Sequence, residues 1–333
     1  MLEISDWRDS STLTSLSLKN IPREDEMSVL LIRKSWATYD AGAAKEKEDG
    51  YVTYGPLSAV IDASSEPWAQ KYPKTLLNGS SLGEHTARFA ESFLGPRLYL
   101  LRDEPISTLF SELNQAALLE KISNGIPKEI AELSGASFAA ANVKYDNTEI
   151  LAAGDSFVAG ELKNGKIFIT ENQVHLHDTA MHKEIARLMK EVAAEWKLRL
   201  DSVDEQTLDN IREETWNRFV PILKVARKRV MNNPEVPEGY PTLNGDSRSE
   251  SMWQRFLLPT ADLKRLLLFT DGIVAWEILE RLTSKQLGIF IMEFYKKTGI
   301  DGLLDLTRSM ETATSQRSYT PHAEATIIAI ELS

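Results

Sequence analysis

Apolar and polar positions recur along this chain at two periods, and the switches between them mark its elements. Residues 1–27 show neither period and read as a polar leader. Val29-Leu30-Leu31-Ile32 is an apolar, strand-like run, and residues 50–54 and 57–61 predict two more strands joined at Gly55-Pro56, a turn pair. Ser81, with Glu84 three positions on, forms a capping box. Leu82, Phe89 and Phe93 continue it as an apolar stripe, so the spacing predicts a helix over 81–94, and a second over 106–122. Residues 138–144, 149–153, 157–162 and 166–170 then read as successive antiparallel strands, with turns at Asp146-Asn147 and Asn164-Gly165.

The period lengthens again after residue 179. Ile185, Leu188, Met189, Val192 and Trp196 stand at helical spacing; a second capping box at Ser202–Glu205 precedes Leu208, Ile211, Phe219 and Leu223. Residues 179–232 are therefore expected to form a helical pair, and 233–259, with Pro234, Pro237, Gly239, Pro241 and Gly245, a turn-rich segment. A buried strand over 265–269, a helix over 284–298 and a last strand over 325–332 complete the pattern. This order predicts an α+β fold in which antiparallel sheets are covered by helices.

Composition narrows the classes. Hydrophobic residues at 42% and charged residues at 26% suit a soluble globular protein. Against 38 Lys and Arg stand 49 Asp and Glu, a formal net charge of −11, which disfavours nucleic-acid binding. The absence of cysteine excludes a disulfide scaffold, a thiol nucleophile and a cysteine zinc site, and is compatible with a reducing compartment. The longest apolar runs, such as Leu266 to Phe269, are strand-length, and the N-terminus lacks the apolar stretch of a signal peptide, so no membrane association and a cytoplasmic location are expected.

The informative chemistry is a set of carboxylates at the ends of apolar strands. Val60-Ile61 runs into Asp62, Ala152-Ala153 into Gly154-Asp155-Ser156, and Leu268-Phe269-Thr270 into Asp271-Gly272, while Glu48-Asp49 stands just before the strand at Tyr51. Each alone is an ordinary turn starter. Together, carboxylates buried at strand ends call for hydrogen bonds or a cation, and magnesium and manganese prefer such oxygen ligands.

Glu48-Asp49, Val60-Ile61-Asp62, Gly154-Asp155-Ser156, Thr270-Asp271-Gly272 and Ala325-Thr326-Ile327-Ile328 stand in an order and spacing that resembles the metal-dependent protein phosphatases of the 2C type, across residues 28–333. The resemblance implies an α-β-β-α sandwich of two antiparallel sheets flanked by helices, with residues 179–259 as a mainly helical insertion. It implies two or three Mn2+ or Mg2+ ions and hydrolysis of phosphoserine or phosphothreonine in a phosphorylated protein by a metal-bridged hydroxide. By motif, Asp62 would bridge two metals and Asp271 would bind one, these two being the catalytic residues. Glu48 or Asp49 and the carbonyl of Ala63 would bind the other, and Asp155 would belong to a third site.

The chain departs from that pattern in three places. Asp62 is followed by Ala63-Ser64-Ser65-Glu66 where the family has glycines. Ala323 stands at the family's late aspartate, leaving Glu324 as the substitute ligand. Ala44 stands at its phosphate-holding arginine, leaving Lys45, Lys47 or Arg33 to bind phosphate. These losses support a second reading, a pseudophosphatase that serves as a binding or regulatory domain. His175, His177 and His182 suggest zinc, since a strand would put His175 and His177 on one face; no third ligand spacing accompanies them, and a polar strand end entering a helix is the preferred reading. The scattered tryptophans sit at helical apolar positions and read as core.

Overall fold

The alternating segments assemble into two five-stranded sheets in the computed structural model, which describes residues 32–42, 47–64, 79–97, 104–315 and 323–333. The chain runs through β1 (Ile32–Asp40), β2 (Asp49–Tyr54), β3 (Leu57–Ser64), α1 (Leu82–Arg97), α2 (Ile106–Ser123), β4 (Gly135–Val143), β5 (Asn147–Ala153), β6 (Phe157–Leu162) and β7 (Ile167–Ile169). It continues through α3 (His175–Glu195), α4 (Glu205–Val230), β8 (Gln254–Pro259), β9 (Leu263–Phe269), α5 (Ser284–Ser315) and β10 (Ala325–Leu332). One sheet has the order β1-β10-β9-β6-β7 and the other β2-β3-β4-β5-β8, with every pairing antiparallel.

The period of two decides what each face meets. On β3, Leu57, Ala59, Ile61 and Ala63 pack with Leu94, Leu109, Phe110 and Leu113 of α1 and α2. Val60 points the other way and meets Ala139, Ile150, Leu266, Leu268 and Ile328 between the sheets. Leu267, Phe269, Ile327 and Ala329 cover the outer face of the first sheet and pack on Leu287, Ile291 and Met292 of α5. The result is the four-layer α-β-β-α sandwich. By the same alternation Asp62 shares the inter-sheet face of Val60, and Asp49 that of Tyr51, at the end where the apolar layer stops.

The structure revises several sequence-based boundaries. The strand expected at 29–32 lies outside the described residues except for Ile32, and β1 runs on to Asp40. Ser81 caps α1 by accepting from the Glu84 amide (3.0 Å), but the Glu84 carboxylate turns to Arg88, so the box is half made. For α4 the cap is Asp204, which accepts from the Thr207 amide (2.7 Å), not Ser202. The helix expected to end at 298 passes a kink at Gly299 (φ 74°) and continues to Ser315. Strand β8 was not expected; it is the last part of the 179–259 segment and forms the edge of the second sheet. Helix α3 begins at His175, before the predicted 179, so His175 and His177 are not strand neighbours on one face. His177 is buried against the Tyr240 ring (5.3 Å between centroids).

Under α5, Glu161 is 5% exposed and pairs with Lys264 (3.2 Å), Arg265 (3.1 Å) and Lys296 (3.7 Å). Without Glu161, Arg265 keeps Glu331 (3.4 Å) and Lys296 keeps Glu293 (2.7 Å), but the half-buried Arg265 loses a charged partner, so Glu161→Ala is expected to destabilise the fold by roughly 2 kcal/mol. Lys264 is 45% exposed, and Lys264→Ala should change stability by less than about 1 kcal/mol. Urea midpoints of the two variants check this; equal small effects would mean the network is solvated and contributes little.

Candidate active site

Asp49 and Asp62 are direct cross-strand partners in the β2–β3 ladder. Like charges placed opposite one another are destabilising in a sheet. Asp271 follows β9 in the opposing sheet and begins a short 3-10 turn, Asp271–Ile273. Asp155 sits in the turn between β5 and β6, where Gly154 holds φ at +79° and lies so close to Ser137 that a Cβ would come within 2.1 Å of its Oγ. Asp178 arrives from the first turn of α3. The two sheets and the helical pair thus bring to one place carboxylates scattered over most of the sequence.

Each of these groups holds its proton more tightly than usual. For Asp62 the cause is first burial, then the charges of Asp49, Asp271, Asp155 and Glu324. For Asp271 it is burial, then Asp155, Asp49 and Asp178, partly offset by a hydrogen bond with Asp62. Burial pushes Asp49 up to about 7, with Glu324 adding to the shift, while a hydrogen bond from Thr270 opposes it (Thr270 Oγ1 to Asp49 Oδ2, 2.8 Å). That bond crosses from one sheet to the other. Asp155 and Asp178 are also raised by burial; Arg227 of α4 works against both shifts.

The remaining sequence candidates lie at the edge of this cluster or apart from it. Glu324 precedes β10; its carboxylate accepts from the Tyr39 hydroxyl and the Glu48 amide (2.9 Å). The Glu48 carboxylate accepts from Ser81 Oγ (2.8 Å) at the start of α1, while Asp49 beside it faces the cluster. Ala63 is buried in β3 and its amide donates to the Glu48 carbonyl (3.2 Å). Lys47 pairs with Glu91 (3.6 Å) and lies over the Tyr39 ring (5.1 Å). Lys45 is outside the described residues, and of Arg33 only the backbone, in β1, is described. Gly272 fits because it has no side chain: a Cβ there would lie 1.6 Å from the Glu324 carbonyl oxygen.

Sequence reasoning passed over Asp178, which it left in a polar strand end ahead of a helix expected from residue 179; the structure puts it in the first turn, where an acid suits the helix dipole. It passed over Ser137 and Arg227 for lack of any motif. Asp62, Asp155 and Asp178 line a cavity of about 410 Å³ together with Met181, Ile185, Trp216, Phe219 and Leu223 of the helical pair.

An all-oxygen set of mutually repelling carboxylates matches the chemistry of a hard divalent cation. Among the described residues, however, no three Asp, Glu or His side chains close around a common point as a bound ion requires. Also among the described residues, no helix is long and apolar enough to cross a membrane.

No protein-family model and no curated protein matches the chain in sequence. Solved structures do match. The catalytic domain of the serine/threonine protein phosphatase PstP in complex with two manganese ions is 13% identical, with a TM-score of 0.51 over 91% of this chain and 99% of that one. The Mycobacterium tuberculosis phosphatase PstP/Ppp is 12% identical, with a TM-score of 0.51 over 90% and 98%. A bacterial serine phosphatase carrying a point mutation is 14% identical, with a TM-score of 0.50 over 90% and 98%. The chain has the fold of the PPM-type serine/threonine phosphatases.

The site makes stability depend on pH. The raised Asp49 value means that the folded protein binds this proton more tightly than the unfolded chain does. Its contribution is therefore full below the ordinary value of 3.8 and is lost as pH rises through about 7. In chelator, Asp49→Asn should be more stable than wild type by roughly 2 kcal/mol at pH 8 and about equal to it at pH 4. Melting curves at both pH values test this. A variant less stable than wild type at pH 8 would show that the hydrogen bond from Thr270 outweighs the repulsion.

Proposed function

We propose that this protein is a divalent-metal-dependent phosphatase acting on phosphoserine or phosphothreonine in protein substrates. The observation that carries the reading is the convergence of Asp49, Asp62 and Asp271, from two sheets, at one end of a fold shared with serine/threonine phosphatases.

Asp62, Asp271 and Asp49 are the residues that would hold two Mn2+ or Mg2+ ions, with Asp155 available to a third. When bound, such ions supply a water of lowered pKa and neutralise charge on a phosphoryl group. The chain's own residues prepare for this. Thr270 fixes the Asp49 carboxylate by a hydrogen bond from the facing sheet. Asp62 and Asp271 both hold a proton more tightly than usual, so a cation binding there must compete with protons. Glu324, held by Tyr39 and the Glu48 amide, fixes the start of β2 and hence the position of Asp49. Ser137 orients Asp155. The zero cysteine count accords with a cytoplasmic setting.

One observation favours the second reading, a pseudophosphatase: no three carboxylates among the described residues are disposed to hold an ion as placed. The test is phosphate release from a phosphothreonine peptide with and without Mn2+. Release should require the metal, and Asp62→Asn and Asp271→Asn should each lower kcat/KM by at least about 10³-fold, the scale of losing a group that acts on transition-state charge. Glu324→Gln should keep Mn2+ affinity within about threefold if Glu324 only positions β2; a much larger loss would make it a ligand. Metal binding without phosphate release at any peptide concentration would establish the pseudophosphatase instead.

A further inference from the structure

The cavity between the carboxylates and the helical pair is unequal in its walls. Asp62, Asp155 and Asp178 bring polar oxygen to it. Met181, Ile185, Trp216, Phe219 and Leu223 bring apolar surface from the cluster that joins α3 to α4, and Arg227 of α4 adds one cation. His177 and His182 also line it; burial lowers both pKa values, His177 to about 4, so both imidazoles are neutral at pH 7. A space of about 410 Å³ is at the small end for a ligand site, enough for one or two side chains and too small for a folded partner.

A cavity continuous with the reacting site is filled by whatever is attached to the reacting group. If the reading above holds, that is the peptide on either side of the phosphorylated residue. We propose that the cavity is a specificity pocket that takes an apolar side chain adjoining the phosphorylated serine or threonine. Most of its apolar lining comes from the helical pair, with Val174, Met231 and Tyr240 beside it, so α3 and α4 set substrate preference. A serine side chain seated against Ile185 and Trp216 would lose the hydration of its hydroxyl there and bury little apolar area in return.

The test uses two phosphothreonine peptides that differ only in the residues flanking the phosphothreonine, Leu in one and Ser in the other, together with their non-hydrolysable phosphonate analogues. Calorimetry with the phosphonates in Mn2+ measures binding without turnover; phosphate release from the phosphopeptides measures rate. The Leu analogue should bind at least about tenfold more tightly, the scale of burying one large apolar side chain. Ile185→Asp should reduce that preference to within about twofold. Met181→Gln, close to the native residue in size, should reduce it in the same direction and serves if Ile185→Asp does not fold. Equal binding of the two analogues by wild type, or no binding of either, overturns the proposal. Preferential binding without phosphate release keeps the pocket and removes the phosphatase reading. Release at equal rates, with equal binding, keeps the phosphatase and removes the pocket.

Discussion

Everything at the site depends on two sheets packing face to face. Val60, Leu266, Leu268 and Ile328 fill the space between them, and the two-residue period of their strands carries that face on to Asp49, Asp62 and Thr270. Where the apolar layer ends, the next inward-facing positions are polar by construction. The hydrogen bond from Thr270 to Asp49 closes this end by tying one sheet to the other. A shift of one residue in the β2–β3 register would turn these carboxylates toward α1 and α2 and dismantle the site.

The gathering of carboxylates is unfavourable in itself. Burial raises Asp49, Asp62, Asp155, Asp178 and Asp271, and repulsion from neighbouring acids adds to it at all but Asp155, so the folded protein stores a demand for positive charge. Protons meet it at low pH, and Arg227 meets it in part at Asp155 and Asp178. Divalent cations would meet it more fully at neutral pH. Acids at the rim are treated differently: Glu324 and Glu48 are held by amides and hydroxyls, while the charge of Glu324 still raises Asp49 and Asp62.

The helical pair completes the site. Its internal clusters, Leu188 with Phe219 and Leu223, and Val192 with Ile211, let α3 and α4 pack on each other. Met181, Ile185 and Trp216 of the pair also line the cavity that Asp62, Asp155 and Asp178 line. The same element therefore supplies an acid, Asp178, and apolar side chains to one cavity.

Much of this was legible in the amino-acid sequence. Alternation located the strands because burial of one face imposes it, and the ends of those strands marked Asp62, Asp155 and Asp271, since an acid after an apolar run stands out locally. The pair Glu48-Asp49 was legible only as a pair: neighbours in an extended chain point opposite ways, and which of them faces inward depends on a register that pairing with β3 sets. Asp178 and Arg227 carried no local signal, because a first-turn acid and a last-turn base are what any helix favours. Strand β8 was hidden for a similar reason: an edge strand with Phe256 and Leu257 exposed has no buried face to impose a pattern. Sequence by itself determined which residues could be buried and where the chain must turn, because those are local costs. Only the tertiary structure decided which charges meet, because electrostatic coupling depends on distance in space, which no spacing along the chain records.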